Sequence, residues 1–278
     1  DAWLASRMHP IPVVYLIHNV LPHEQRVWDI PLTRFTLGKG DYYLTQSRRE
    51  TQRLQDLIPS ARVLEYPHPV YDLYAGHRIP VQEAREQLGL DPGRPVILFF
   101  GLIRPYKGLR LFLEALNILR QNGVCPQAVV AGEFWEKEQG YRDVIEEFNL
   151  QEQLKVDNRY IPNEEVPLYF SAADVLVAPY LEGTQSGAAK LALGFELPVI
   201  ASDILMSDES LAGSSLVSSF ETGNPKALAN AISTFMENQP SRSDHHLPMP
   251  GESGWDLLVQ TIVSIGESSR PPTPFSEA

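Results

Sequence analysis

Two clusters of residues in this chain have the types and spacing to hold a polyanion. The first is Thr184-Gln185-Ser186-Gly187, following Gly183 and standing just before an apolar helical stretch, Ala188 to Phe195. The first backbone N–H groups of a helix lack intrahelical partners, and the helix dipole adds partial positive charge there. Ser186 and Gly187 leave room for an anion to approach that end closely. The second cluster is Arg104 and Lys107, in the loop from Gly101 to Gly108 that precedes the helical stretch Leu109 to Gln121. Positive charge near a helix N-terminus runs against the dipole, so these cations need a reason, and a bound polyanion is one. The alternatives are an ordinary strand-to-helix turn in the first case and two solvated loop charges in the second. A third group, His18-Asn19 with His23 and Glu24 close behind, lies just past the end of the apolar run Pro12 to Ile17. Open α/β sheets bind ligands at the carboxyl ends of their strands, so His18 is placed to act on a substrate. Its alternative is a strand-end histidine bonded to backbone. The spacing of His18, His23 and Glu24 matches no standard metal-ligand helix.

The elements that must position these groups read as alternating strands and helices. Apolar runs at Pro12 to Ile17, Val96 to Phe100, Gln127 to Gly132, Val175 to Ala178 and Pro198 to Ala201 predict buried parallel strands, and Leu154 to Asn158 is the next short segment in the series. Asp41 to Thr45 and Arg62 to Tyr66 predict two more. Ser47 is expected to cap the helix Arg48 to Leu57, with Glu50 completing a capping box. Helices are also expected over Val81 to Leu90, Gly140 to Asn149 and Glu164 to Ala172, and again over Lys226 to Asn238 and Trp255 to Ile265. Leu109, Phe112, Leu113, Leu116 and Leu119 form a core stripe at helical spacing. Asn224-Pro225 is an N-cap followed by proline at the first helical position. Asp174 is read as structural. The alternation makes the fold class α/β with parallel sheets. Pro67-His68-Pro69 marks a domain exit, residues 239–253 read as a loop, and Arg270 to Ala278 as a disordered tail. The expected organisation is a domain over 1–75, a second over 76–240, and a loop, helix and tail over 241–278.

Composition excludes several classes. A chain of 278 residues with 43% hydrophobic content can bury one large core or two. A net charge of −12 argues against a nucleic-acid partner. The single cysteine, Cys125, forbids an intrachain disulfide, fits a reducing compartment and is read as a packing residue. No apolar run reaches membrane-spanning length. The pair His245-His246 reads as solvated rather than metal-binding. The dinucleotide fingerprint, the P-loop and the Gly-x-Ser-x-Gly elbow are all absent. Asp-x-Asp is absent too, which disfavours a metal-bridged diphosphate site of that type.

Four segments, FFGLIRPYKG (99–108), AVVAGE (128–133), YIPNEEVPLYFSAADVLVAPY (160–180) and TQSGAAKLALGFELPVIAS (184–202), occur in this order. Together they resemble the donor half of a retaining glycosyltransferase of family 4 (glycosyl transferase group 1), in a Gln-Ser-Gly loop subgroup. HNVLPHE (18–24), the Ser47 helix and PHPVYD (67–72) resemble the later part of that family's acceptor half. The resemblance implies the GT-B fold, two Rossmann-like domains with parallel sheets, the first expected to lack its opening strands. It implies transfer of a hexose-type sugar from a nucleotide-sugar donor to a glycan or lipid-linked acceptor, in cell-envelope polysaccharide biosynthesis, with no cofactor and no metal. Arg104 and Lys107 would hold the donor diphosphate, and Thr184, Gln185, Ser186 and Gly187 the distal phosphate or sugar. Ile161 would recognise the base through its backbone, Gly101, Gly132 and Glu133 would line the donor cleft, and His18 would face the transferred sugar. A cytoplasmic location, with peripheral association to the inner face of a membrane, is compatible with the resemblance.

The chain also departs from the family pattern. Two glutamates common in the family would fall at Gly183 and Leu191; Glu182, one position off, is the substitute for the first, and nothing replaces the second. The family's arginine directly after the glycine is Leu102 here. These losses keep open a sugar-nucleotide binding or partner protein without turnover. An epimerase on the same fold is disfavoured by the IRPYKG and Gln-Ser-Gly segments.

Overall fold

The structure, a computed structural model, describes residues 12–22, 26–66, 77–238 and 254–267. His23, Glu24, the PHPVYD segment, residues 239–253 with His245-His246, and the 270–278 tail lie outside the described residues. Contacts divide the chain into two compact units, Asp1–Pro69 with Pro250–Ala278, and Val70–Met249.

The first unit is a three-stranded parallel sheet in the order β1-β2-β3, formed by β1 (Val14–Ile17), β2 (Tyr42–Thr45) and β3 (Val63–Glu65). Between β1 and β2 lies α1 (Asp29–Leu37), which periodicity did not announce because it buries no residue. Helix α2 (Arg48–Leu57) follows β2 and packs Leu54 and Leu57 against Ile17, Val20 and Tyr43. Alternation along β2 sends Tyr42 and Leu44 into a different cluster, where they meet Leu258 and Ile265. Those two residues belong to the last helix, so the C-terminal end of the described chain completes the first unit's core.

The second unit starts with α3 (Val81–Gln87) and is built on β4 (Val96–Phe100), α4 (Leu109–Gln121), β5 (Gln127–Ala131), α5 (Gln139–Glu147) and β6 (Leu154–Asp157). It continues through α6 (Val166–Ala172), β7 (Val175–Ala178), α7 (Gly187–Gly194), β8 (Val199–Ser202), α8 (Glu209–Ala212), β9 (Val217–Phe220) and α9 (Pro225–Glu237). The last described helix is α10 (Gly254–Glu267). The six strands are parallel in the order β6-β5-β4-β7-β8-β9. Strand alternation divides the apolar residues between two faces. Val96, Leu98, Val129, Ala131, Leu176, Ala178, Val199 and Ala201 join α3, α6 and α7 on one side. Ile97, Phe99, Ala128, Val130, Val175, Val177 and Ile200 join α4, α5 and α9 on the other. A sheet covered on both faces needs strands apolar at every position, which is why these strands were legible as unbroken runs. The predicted stripe on α4 is buried as expected, each leucine of this kind contributing about 1.5–3 kcal/mol.

Four local expectations meet different outcomes. Asn224 caps α9, accepting from the N–H groups of Lys226 and Ala227, both at 3.1 Å. Ser47 caps α2 through Glu50 N–H at 3.4 Å, but the reciprocal half of the capping box does not form. The Glu50 carboxylate is drawn instead to Val20 N–H (2.7 Å) and to Arg53 (2.8 Å), a tertiary contact that outcompetes the local one. Cys125 is exposed rather than packed, since it sits in the turn after α4, where its carbonyl accepts from Arg94 at 2.7 Å. Asp174 is structural as read, accepting from Val96 N–H (2.7 Å) and Arg85 (2.6 Å).

Candidate functional site

Strand order decides where the second unit can hold a ligand. The chain runs outward from β4 to β5 and β6, then returns to place β7 on the other side of β4. The carboxyl ends of β4 and β7 therefore flank the point where the winding reverses, which is where open α/β sheets form a crevice. The two loops emerging there are the two clusters singled out from the sequence.

After β4 the chain turns through Gly101 and a 3-10 turn, Pro105–Lys107, into α4. Gly108 has φ +73°, and a Cβ there would lie 1.9 Å from the Pro179 carbonyl oxygen. No other residue allows this approach, which brings the loop after β4 against the loop after β7. Leu181 N–H donates to the Tyr106 carbonyl at 2.7 Å, and the Tyr106 and Tyr180 rings meet edge-on at 5.9 Å. The Lys107 ammonium stands 5.7 Å from the centroid of the Tyr180 ring. The Tyr180 hydroxyl in turn accepts from Ser186 Oγ at 3.1 Å. Ser186 Oγ accepts from Ala189 N–H at 3.2 Å, as the N-cap of α7. Lys107, Tyr180 and Ser186 thus form one continuous set of contacts from the first cation loop to the N-terminus of α7.

The charges in this set are unbalanced. Burial, and then the nearby Arg104 charge, hold the Lys107 ammonium below the usual lysine value, with Tyr106 acting in the opposite direction. Among the described residues no carboxylate pairs with Lys107. The side-chain oxygen of Thr184 and the side-chain nitrogen of Gln185 are buried without a hydrogen-bond partner. Glu182 is exposed and Leu191 is partly buried on α7, so no carboxylate stands at the Leu191 position.

The ends of β4 and β5 are equally close. Gly132 has φ +147°, and a Cβ there would lie 2.0 Å from the Gly101 carbonyl oxygen. Glu133 follows, its carbonyl accepting from Ile103 N–H at 2.8 Å and its carboxylate accepting from the Trp135 indole N–H at 3.1 Å. A shallow hollow of about 540 Å³ is lined by Glu133, Phe134, Trp135, Glu136 and Lys137. Ile161 follows β6, and its side chain is 7% exposed within the core, so a ligand contact there would fall to its main chain. The turn carrying Tyr160 and Ile161 is braced by Arg159, which bonds Asp157 (3.0 Å) and Glu165, and by the Tyr169 hydroxyl donating to Asp157.

His18 belongs to the first unit, in the exposed turn after β1. The Glu50 bond to Val20 N–H ties that turn to α2. Reading by sequence missed Glu50 in this role, along with Tyr180, Trp135 and the buried pair Lys190–Asp208. A lysine set among alanines and leucines in an apolar helix was the available signal for the last.

A family model described as "Glycosyl transferases group 1" matches residues 80–246. The chain belongs to this family. A curated relative, the GDP-mannose:glycolipid 4-beta-D-mannosyltransferase of Xanthomonas campestris pv. campestris, is 28% identical over 201 residues, 68% of this chain and 50% of that protein. The chain spans about half the length of the curated relatives it matches. Among solved structures, sucrose-phosphate synthase from Thermosynechococcus elongatus aligns with a TM-score of 0.70 at 19% identity, covering 85% of this chain and 61% of that one. Anabaena HepE in complex with UDP aligns with a TM-score of 0.68 at 18% identity, covering 85% and 66%. With two parallel α/β sheets and these neighbours, the fold of this family member is GT-B. Among the described residues, no group of three or more His, Cys, Asp or Glu side chains is placed to hold a metal ion, and no helix is long and apolar enough to cross a membrane.

Proposed function

We propose that this chain is the donor-binding part of a retaining, metal-independent glycosyltransferase of family 4, moving a hexose-type sugar from a nucleotide-sugar donor to a glycan or lipid-linked acceptor. The observation that carries the reading is Lys107: a half-buried cation with no carboxylate partner among the described residues, set against the Tyr180 ring, whose hydroxyl bonds Ser186, the N-cap of α7. Such a charge is costly alone and favourable once an anion fills the space between it and the helix end. In the reaction the bond from the sugar's anomeric carbon to the diphosphate breaks, and a bond to the acceptor hydroxyl forms on the same face. The acceptor proton passes to a diphosphate oxygen. Charge grows on the departing diphosphate, so Lys107 and Arg104 stabilise the transition state more than the ground state. Thr184 to Gly187 supply hydroxyl and amide donors to the distal phosphate or sugar, Gly101, Gly132 and Glu133 border the donor, and the Ile161 main chain meets the base. His18 faces the transferred sugar, and Glu182 takes part of the acidic role. Action is cytoplasmic, at the inner face of the membrane where the acceptor is lipid-linked.

Isothermal titration of the chain with uridine and guanosine diphosphates tests the reading. One of the two binds saturably, and Lys107→Ala lowers the affinity by about tenfold or more, the scale of a lost charge-assisted contact. Unchanged affinity in Lys107→Ala would remove the phosphate-cation role. The absence of a carboxylate at Leu191 favours a second reading, a sugar-nucleotide binder without turnover. Release of nucleoside diphosphate from a nucleotide sugar at a catalytic rate would exclude it.

A further inference from the structure

We propose that Trp135 is a positioning residue for Arg104, holding its guanidinium as a preset arm for the donor diphosphate; this rests on the donor-site reading above. The Arg104 guanidinium carbon lies 4.4 Å from the centroid of the Trp135 ring, well within cation–π range. Arg104 and Lys107 carry like charge in one short loop; burial is the main cause of the lowered Lys107 value, and the Arg104 charge adds to it against Tyr106. No carboxylate among the described residues pairs with Arg104 to offset that repulsion. Left to itself, a long side chain beside a second cation would swing out into water. The indole face opposes this and fixes the plane of the fork, so less rotamer freedom is lost when a phosphate binds.

Trp135 is itself anchored to the loop that carries Arg104. Its backbone N–H donates to the Ile103 carbonyl at 3.1 Å, and Ile103 N–H donates to the Glu133 carbonyl at 2.8 Å. Parallel pairing thereby continues past the ends of β4 and β5, through an Ile103–Phe134 bridge. The indole N–H donates to Glu133, and Phe134 N–H donates to the Asn158 side chain at 3.0 Å, which adds the segment after β6. Trp135 is 57% exposed, so packing does not account for a large aromatic at this place, and its replacement should leave the fold intact.

The test is a double-mutant cycle on the 278-residue chain, titrated with uridine and guanosine diphosphates. Trp135→Leu should weaken diphosphate binding by about fivefold, the scale of a partly desolvated cation–π contact. Trp135→Phe, which keeps an aromatic face, should recover most of that loss. In an Arg104→Ala background Trp135→Leu should have no further effect. An equal loss in that background, or no difference between the Phe and Leu variants, would show a merely structural role and overturn the inference. If Lys107→Ala abolishes binding while Trp135→Leu leaves it unchanged, the donor site stands and this inference falls. If neither diphosphate binds the unaltered chain, both fall together.

Discussion

Lys107 is a desolvated cation held beside a second one, and its titration can be followed through the ligand it binds. Burial favours the neutral amine, which holds the free-state value below the usual 10.5. A bound diphosphate favours the charged form and raises it again. Between those two values the complex carries more protons than the free chain, so affinity falls as pH rises through the lowered free-state value and is level below it. The same shift makes folding of the free chain less favourable below the lowered value, an effect that fades as pH rises toward the unfolded lysine's range. Lys107→Arg keeps its charge throughout, so its diphosphate affinity should stay flat where that of the unaltered chain declines. Titrations at stepped alkaline pH check this, and parallel pH profiles for the two proteins would remove Lys107 from the binding site. At this scale the sequence was informative about charge and poor about company. Arg104, Lys107 and Ser186 stood out by type and position. Tyr180 and Trp135 did not, because an aromatic ring becomes a cation's partner only when distant loops meet.

The elements repeat this division. Strands covered on both faces were legible as apolar runs, and capped helices such as α2 and α9 announced their first residues. Strand β9 was missed because its middle residues, Ser218 and Ser219, are exposed on the outer strand of the sheet, which leaves no alternating or continuous apolar signal. Helix α7 shows what periodicity cannot give. Lys190 on α7 lies 2.8 Å from Asp208, with side chains 2% and 4% exposed. At this separation, shielded from water, the two charges form a direct ion pair. Burial lowers the Lys190 value, and Asp208 works against it, first through the direct side-chain contact and then through its charge. Asp208 also caps α8 through Ser210 N–H at 3.1 Å, so the pair fastens α7 to the segment after β8. Removing one member leaves the other charge buried alone. Asp208→Ala should therefore lower stability by about 3–5 kcal/mol, read from the denaturation midpoint. A loss under about 1 kcal/mol would mean that Lys190 finds water instead, and that α7 does not depend on the pair.

For the molecule as a whole, the residues proposed to act fall in two units, and that division sets what each unit can do alone. Every group proposed to touch the donor's base and diphosphate lies in the second unit, which has its own six-stranded sheet and an apolar core on each face. His18 and the turn braced by Glu50 lie in the first, whose core is completed by α10 from the far end of the chain. That discontinuity was not legible in the sequence, since a helix's partner sheet leaves no mark on its own apolar stripe. It also separates recognition from transfer in a way that can be measured. Residues 77–238 produced alone should fold cooperatively, because both faces of their sheet remain covered. They should bind nucleoside diphosphate within about threefold of the whole chain's affinity, a difference under 1 kcal/mol. They should release none from a nucleotide sugar, since His18 and the rest of the first unit, proposed to meet the transferred sugar and the acceptor, are missing. A folded second unit that has lost diphosphate affinity would place an essential donor contact in the first unit, and the division of labour drawn from the sequence of elements would have to be redrawn around His18.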